Sequence, residues 1–230
     1  MKKNEPNDPS LILVLFIGFL SFCIGGILGV ASLISLPVVE STKALEPDEI
    51  EPGTVYYIKG QQSGRTAWRA KEDAWRAGMV DVLRLSEPEL NQWSRDRLDI
   101  DESPDAKDAS DLEGTFHFLP SAVNFRVVED GLQLATKIEL GGYLKDKTVI
   151  YQVTGRFEDS AHGIRFVPLS GNIGAAPLGS IPVVRDLLFG LLTKRISKGA
   201  DVDWLGESLD NLESAEIAEG KLVLRRKAEG

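Results

Sequence analysis

Between Leu11 and Leu36 the chain carries no charged residue, and this stretch constrains the molecule more than any other. Wound as an α-helix rising about 1.5 Å per residue it would extend roughly 39 Å, enough to cross a hydrocarbon core of about 30 Å with some tilt. A cleaved signal peptide has a shorter apolar region, about 7–15 residues, ending at a small-x-small site. The length therefore predicts an uncleaved transmembrane anchor over residues 11–36, with residues 1–10 on the cytoplasmic side. Lys2 and Lys3 precede the anchor and Lys43 is the first basic residue after it. This bias predicts an inner-membrane protein whose C-terminal body is periplasmic or extracellular. Cys23 follows Leu20-Ser21-Phe22, but bulky Phe22 stands where a lipobox has a small residue, so Cys23 reads as a lipid-buried thiol. Ser21, Gly25 and Gly29 recur every fourth residue and form a smooth face on which two helices can approach, which predicts a homodimer through the membrane. The alternative is the general abundance of glycine in membrane helices.

Everything from Pro37 onward carries the whole formal charge of −9. Phosphate recognition needs clustered Lys and Arg, so no nucleic-acid partner is expected. One cysteine and two histidines exclude an intramolecular disulfide and a Cys/His zinc site. No Gly-x-Ser-x-Gly elbow is present. His117 alternates with Phe116 and Phe118 in a predicted strand and His162 lies in a predicted turn, so both read as structural. Gly141-Gly142 and Gly171-x-x-Gly174 match neither a dinucleotide fingerprint nor a P-loop. A non-enzymatic domain without cofactor or metal is the expectation.

Residues 37–53 hold Glu40, Glu46, Asp48, Glu49 and Glu51 with Pro47 and Pro52, the composition of an acidic tether that cannot bury much surface. The body then occupies 54–230. Gln61 to Leu83 reads as one helix with Trp68, Trp75, Met79 and Val82 on a core-facing seam. Ser86-Glu87-Pro88-Glu89 is a capping box, with Leu85 and Leu90 as its hydrophobic staple, opening a helix to about Leu98. Residues 99–114 form an acidic loop. Asp99, Asp101, Ser103 and Asp105 alternate as in a calcium loop, but Pro104 stands where glycine is needed and Ser110 where the bidentate Glu belongs. From Thr115 the period becomes two: Val123, Phe125 and Val127, a turn at Glu129-Asp130-Gly131, then Leu132, Leu134, Thr136, Ile138 and Leu140. Tyr151 to Phe157 and Ile164 to Pro168 continue the pattern, with Pro168 marking an edge or a strand's end and Leu169–Gly179 a bent or bulged strand. Pro182 opens an amphipathic helix to about Ile196, and a small hairpin around Glu219-Gly220 closes the domain.

Leu85-Ser86-Glu87-Pro88-Glu89-Leu90-Asn91, the strand-loop-strand Gly155 to Ser170, and Gly174-x-x-Pro177-Leu178 leading into the late helix and Trp204 carry a resemblance. Their order resembles the YpmS-like family of single-pass extracytoplasmic proteins, and is more distantly similar to YceB-like lipoproteins and TULIP-like lipid-binding domains. The resemblance covers about residues 83 to 225 and implies a curved antiparallel sheet wrapped around a helix, with an apolar groove for an acyl chain. The long Trp helix and the acidic loop depart from it. The residue pattern gives the same class, an α+β domain whose sheet covers an apolar helix face. Val184, Leu187, Leu188 and Leu191 are then either filled core or the lining of a lipid groove. Two functions follow: a membrane-tethered binder of lipid or another apolar ligand, or a scaffold that binds protein partners in an envelope assembly. A continuous apolar cavity of about 300 Å³ or more separates them.

Overall fold

The computed structural model describes residues 10–43, 45–61, 67–98, 119–120, 123–129, 131–140, 147–160, 163–179, 182–199 and 211–227. Helix α1, Leu11–Ile34, is long and apolar enough to cross a membrane, and none of its residues is buried by the rest of the chain. A signal sequence meets the same criterion, so the helix is a candidate anchor or signal. It stops just before Pro37, whose ring disfavours helical geometry at Leu36.

The acidic stretch that follows is not a free tether. Strand β1, Val38–Ser41, pairs in parallel with β2, Val55–Ile58, from Val38 opposite Val55 to Ser41 opposite Ile58. Between them Glu46 and Glu49 form a capping box on a short 3₁₀ turn, Pro47–Glu49. Composition was a correct guide to burial here, because no residue of β1 or of that turn is buried. It was a poor guide to order, because backbone pairing needs no apolar side chain.

The helix expected over residues 61–83 is also shorter. Helix α2 spans Ala67–Arg76. It ends in a Schellman motif: Gly78 takes φ +69°, Met79 N–H donates to Ala74 O (2.9 Å) and Gly78 N–H to Trp75 O (3.1 Å). Trp68 and Trp75 are buried as the seam required, whereas Met79 lies beyond the stop and is exposed. Val82–Ser86 is strand β3, so Val82 and Leu83 belong to a sheet. Helix α3, Glu87–Arg97, starts at the expected capping box, with Ser86 N–H donating to Glu89 Oε2 (2.9 Å), and Leu85 and Leu90 are both buried.

The molecule is α+β. Strands β4 (Leu119–Pro120), β5 (Asn124–Val128), β6 (Gly131–Leu140), β7 (Lys147–Ser160), β8 (Gly163–Ile173) and β9 (Ala176–Pro177) form one antiparallel sheet. Its order is β4-β6-β7-β8-β9, with β5 beside β4 on the same side of β6. Pro168 does not end β8. It lies opposite Gly155 at a bulge between Thr154 and Gly155, and a Cβ on Gly155 would lie 2.3 Å from Val167 O. Helix α4, Pro182–Gly199, follows. Strands β10 (Leu212–Ala218) and β11 (Lys221–Arg226) make the final hairpin, and β11 pairs with β3 to complete a three-stranded antiparallel sheet.

Among the described residues the two antiparallel sheets and helices α2, α3 and α4 share one core, with Ile138, Tyr151, Val153, Leu192 and Leu212 among its most buried members. A second small cluster lies around Ala135 and Ile150, residues that alternate with core-facing neighbours along β6 and β7. Tyr57 of β2 and Val38 of β1 pack there. The β1–β2 ribbon thus covers part of the large sheet's outer face.

Candidate ligand cavity

Trp68, Glu72 and Trp75 fall four and three residues apart on α2, which puts all three on one face. All three are almost completely buried, and they form one wall of a cavity of about 240 Å³. Leu90, Trp93 and Leu98 of α3 and its C-cap extend that wall. The small sheet contributes Leu83, Leu85, Leu222 and Leu224, the inward positions of β3 and β11. The large sheet contributes Phe125, Leu132 and Leu134 from β5 and β6, then Phe157 and Phe166 from β7 and β8. Phe189 and Thr193 of α4 line the remaining side. Phe157 meets Phe166 edge-on at 5.6 Å between ring centres, and Phe166 lies 5.4 Å from Phe189, so these rings make one aromatic wall.

Polar groups sit behind this lining. Glu72 Oε2 accepts hydrogen bonds from Arg97 Nη2 (3.2 Å) and Nε (3.4 Å). Among the described residues its Oε1 has no hydrogen-bond partner, and it lies 3.9 Å from Arg76 Nη1. The indole N–H groups of Trp68 and Trp75 are likewise buried without a partner among the described residues. Guanidinium groups cover the outer parts of both indoles: Arg69 and Arg97 stand 5.3 and 5.4 Å from the Trp68 ring, and Arg226 5.0 Å from that of Trp75. Arg226 Nη2 also donates to Trp75 O (2.6 Å). The cavity surface itself is therefore hydrocarbon and aromatic carbon, suited to dispersion contact and not to proton transfer.

The groove residues expected on α4 are not those that face the cavity. Leu187 is 60% exposed and Val184 36%. Leu188 and Leu191 are half-buried, Leu188 against the core, and none of the four lines the cavity. At about 100° per residue the buried side of α4, centred on Leu192 with Leu188 and Phe189, is turned roughly a quarter of a revolution from the expected one. The reason lies in composition: from Pro182 to Leu192 apolar residues fall on nearly every side of α4, so periodicity alone could not choose a face. Glu72 was legible only as a charge on a helix. Its place four residues after Trp68 and three before Trp75 was the available signal. Phe157 was visible as an inward position of an alternating strand, and Phe166 as an apolar position of the next.

Ser21, Gly25 and Gly29 lie on the exposed surface of α1, and a Cβ at Gly25 or Gly29 would meet no atom of this chain within 4 Å. Gly171 lies within β8 opposite Val153, and Gly174, at φ +56°, turns the chain between β8 and β9. The two histidines, the acidic loop 99–114, Gly141-Gly142, Trp204, Lys2 and Lys3 lie outside the described residues. Among the described residues no three His, Cys, Asp or Glu side chains converge as metal ligands. Compared with known proteins, the chain matches no protein-family model and no curated protein.

Proposed function

We propose that this chain is a single-pass, membrane-anchored, non-enzymatic domain that holds an apolar molecule, such as the end of an acyl chain, between its two antiparallel sheets. The carbon-lined cavity between α2, α4 and the sheets carries this reading. Its volume sets the ligand's scale. A cavity of about 150 Å³ admits benzene, so 240 Å³ takes roughly ten heavy atoms. That is the distal part of a lipid tail, or a small hydrophobic molecule, with any polar head left outside. The bias of Lys2 and Lys3 supports a cytoplasmic start and a periplasmic or extracellular body at the inner membrane. The Ser21, Gly25 and Gly29 face supports a homodimer within the bilayer.

The volume also favours a second reading. It falls short of the roughly 300 Å³ at which small-molecule pockets begin, as expected of a scaffold whose core is loosely filled. Leu134→Phe separates the two. Full-length protein extracted in lipid nanodiscs would be titrated with a fluorescent fatty acid, alongside mass spectrometry of copurifying lipids. Saturable binding that Leu134→Phe abolishes, with circular dichroism unchanged, supports the ligand site. Absence of saturable binding to the unsubstituted protein, or binding that ignores the substitution, overturns it in favour of the scaffold.

A further inference from the structure

The first two turns of α4 are apolar on the side that faces away from the domain, and Lys194 follows two turns further along that side. Leu188, Phe189 and Leu192 point into the core, yet Val183 is 78% and Leu187 60% exposed. At about 100° per residue these two stand nearly opposite Leu192. Apolar side chains exposed opposite the core call for a surface to cover them, and Arg185, on the core side, ties this turn to β8 by donating from Nη1 to Leu169 O (3.1 Å).

The location of this patch identifies the medium. Ala175 N–H donates to Leu33 O at the end of α1 (3.3 Å), and a Cβ on Gly174 would lie 3.2 Å from Ile34 Cα. Gly171, three residues earlier, stands 3.7 Å from Arg185 Cγ by the same measure. Three extended residues span at most about 11 Å. The second turn of α4 is therefore within about 21 Å of the last turn of α1. Helix α1 is roughly 36 Å long, more than a hydrocarbon core of about 30 Å, so its last turn reaches the headgroup layer. The β8–β9 corner packed on that turn lies at the same depth.

We propose that the outward face of α4, through Val183 and Leu187, rests in the interfacial layer of the bilayer beside the exit of α1. The proposal rests on α1 spanning the membrane. Asp186 is the charge least suited to that layer, and its carboxylate pairs with Arg185 Nε (2.8 Å). The bilayer then lies against one side of α4, while Phe189 and Thr193 on other sides of the helix line the cavity. Interfacial helices bind through apolar area in this way.

Spin labels test this in the full chain with Cys23→Ser, reconstituted in phosphatidylcholine–phosphatidylglycerol vesicles. Labels at Val183→Cys and Leu187→Cys sit on exposed positions, and one at Gly18→Cys reports on the middle of α1. The expected result is a ratio of oxygen to nickel-chelate accessibility at 183 and 187 severalfold above that of the same labels in the detergent-solubilised chain, with 18 reading as lipid. If 183 and 187 read as water while 18 reads as lipid, the proposal is overturned and the anchor stands. If 18 also reads as water, the anchor fails and the proposal with it. Exclusion of both reagents from 183 and 187, with dipolar broadening between copies, overturns it in favour of a second copy covering the face.

Discussion

Four hydrogen bonds meet at the buried side chain of Asn91. Its Nδ2 donates to Gln61 O (2.9 Å) and Phe125 O (2.8 Å), and its Oδ1 accepts from Phe125 N–H (2.6 Å) and Asn124 Nδ2 (3.1 Å). One turn on, Ser94 Oγ donates to Val123 O (2.6 Å), and one turn back, Glu87 Oε2 accepts from Val127 N–H (2.8 Å). Glu87, Asn91 and Ser94 thus replace a neighbouring strand along the free side of β5, whose backbone would otherwise be an unpaired sheet edge. Gly60 is fitted to the same junction, where a Cβ would stand 2.0 Å from Phe125 O. This arrangement was invisible in the sequence, because Glu, Asn and Ser on a helix read as its solvent side. Asn91→Ala strands both polar groups of Phe125 in a buried site, and we expect a loss of about 2–4 kcal/mol. Urea denaturation of the full chain in detergent, followed by tryptophan fluorescence, measures it. A loss below about 1 kcal/mol would mean that water replaces the side chain.

Elements with their own local signature were legible. The capping box of α3 needs only Ser86 and Glu89, and the hairpin strands announce themselves by alternation. The closing turn does so as well, since Glu219 and Gly220 both adopt positive φ (52° and 69°), as a two-residue hairpin requires. Elements that depend on a distant partner were not. Strand β3 is an apolar-alternating run that follows a helix and is fixed by β11, and β1 is held by backbone pairing and by Glu40. The carboxylate of Glu40 meets both Lys137 of β6 and Lys59 next to β2. Hydrogen bonds from Lys137 first and Lys59 second hold its pKa below the ordinary carboxylate range, outweighing the upward push of burial. A carboxylate depressed in the folded state stabilises fully above its unfolded pKa of about 4.3, and that stabilisation is lost as pH falls through the lower folded value. The attachment of β1 should therefore weaken below about pH 4, and Glu40→Gln should remove that dependence. Amide exchange at Val39 and Glu40, compared at pH 6 and pH 3 after correction for intrinsic rates, reads the effect. Protection that falls equally in both proteins would assign it to another group.

On the scale of the whole molecule, the contacts of β1 and of the β8–β9 corner decide how the body sits on α1. As a free coil, residues 38–53 would have a root-mean-square span of roughly 20–24 Å, enough for the domain to tumble independently of α1. Instead only Ser35, Leu36 and Pro37 separate α1 from β1, and the corner at Gly174 packs on Leu33 and Ile34. Gly174 is the position where this coupling is most easily broken. Its φ of +56° favours glycine, and any Cβ there would press within 3.2 Å of the Ile34 backbone. Gly174→Val should force the corner away from α1 while the two sheets stay folded, since the strain is confined to the end of β8. Pulsed dipolar spectroscopy between labels at Ser32→Cys and Lys221→Cys, in the Cys23→Ser chain, should give one narrow distance in the parent and a broad distribution in the variant. A broad distribution already in the parent would show that the corner contact does not fix the body. A narrow one in both would place the coupling in β1 alone, and Glu40→Gln added to Gly174→Val would then be the substitution that releases the domain.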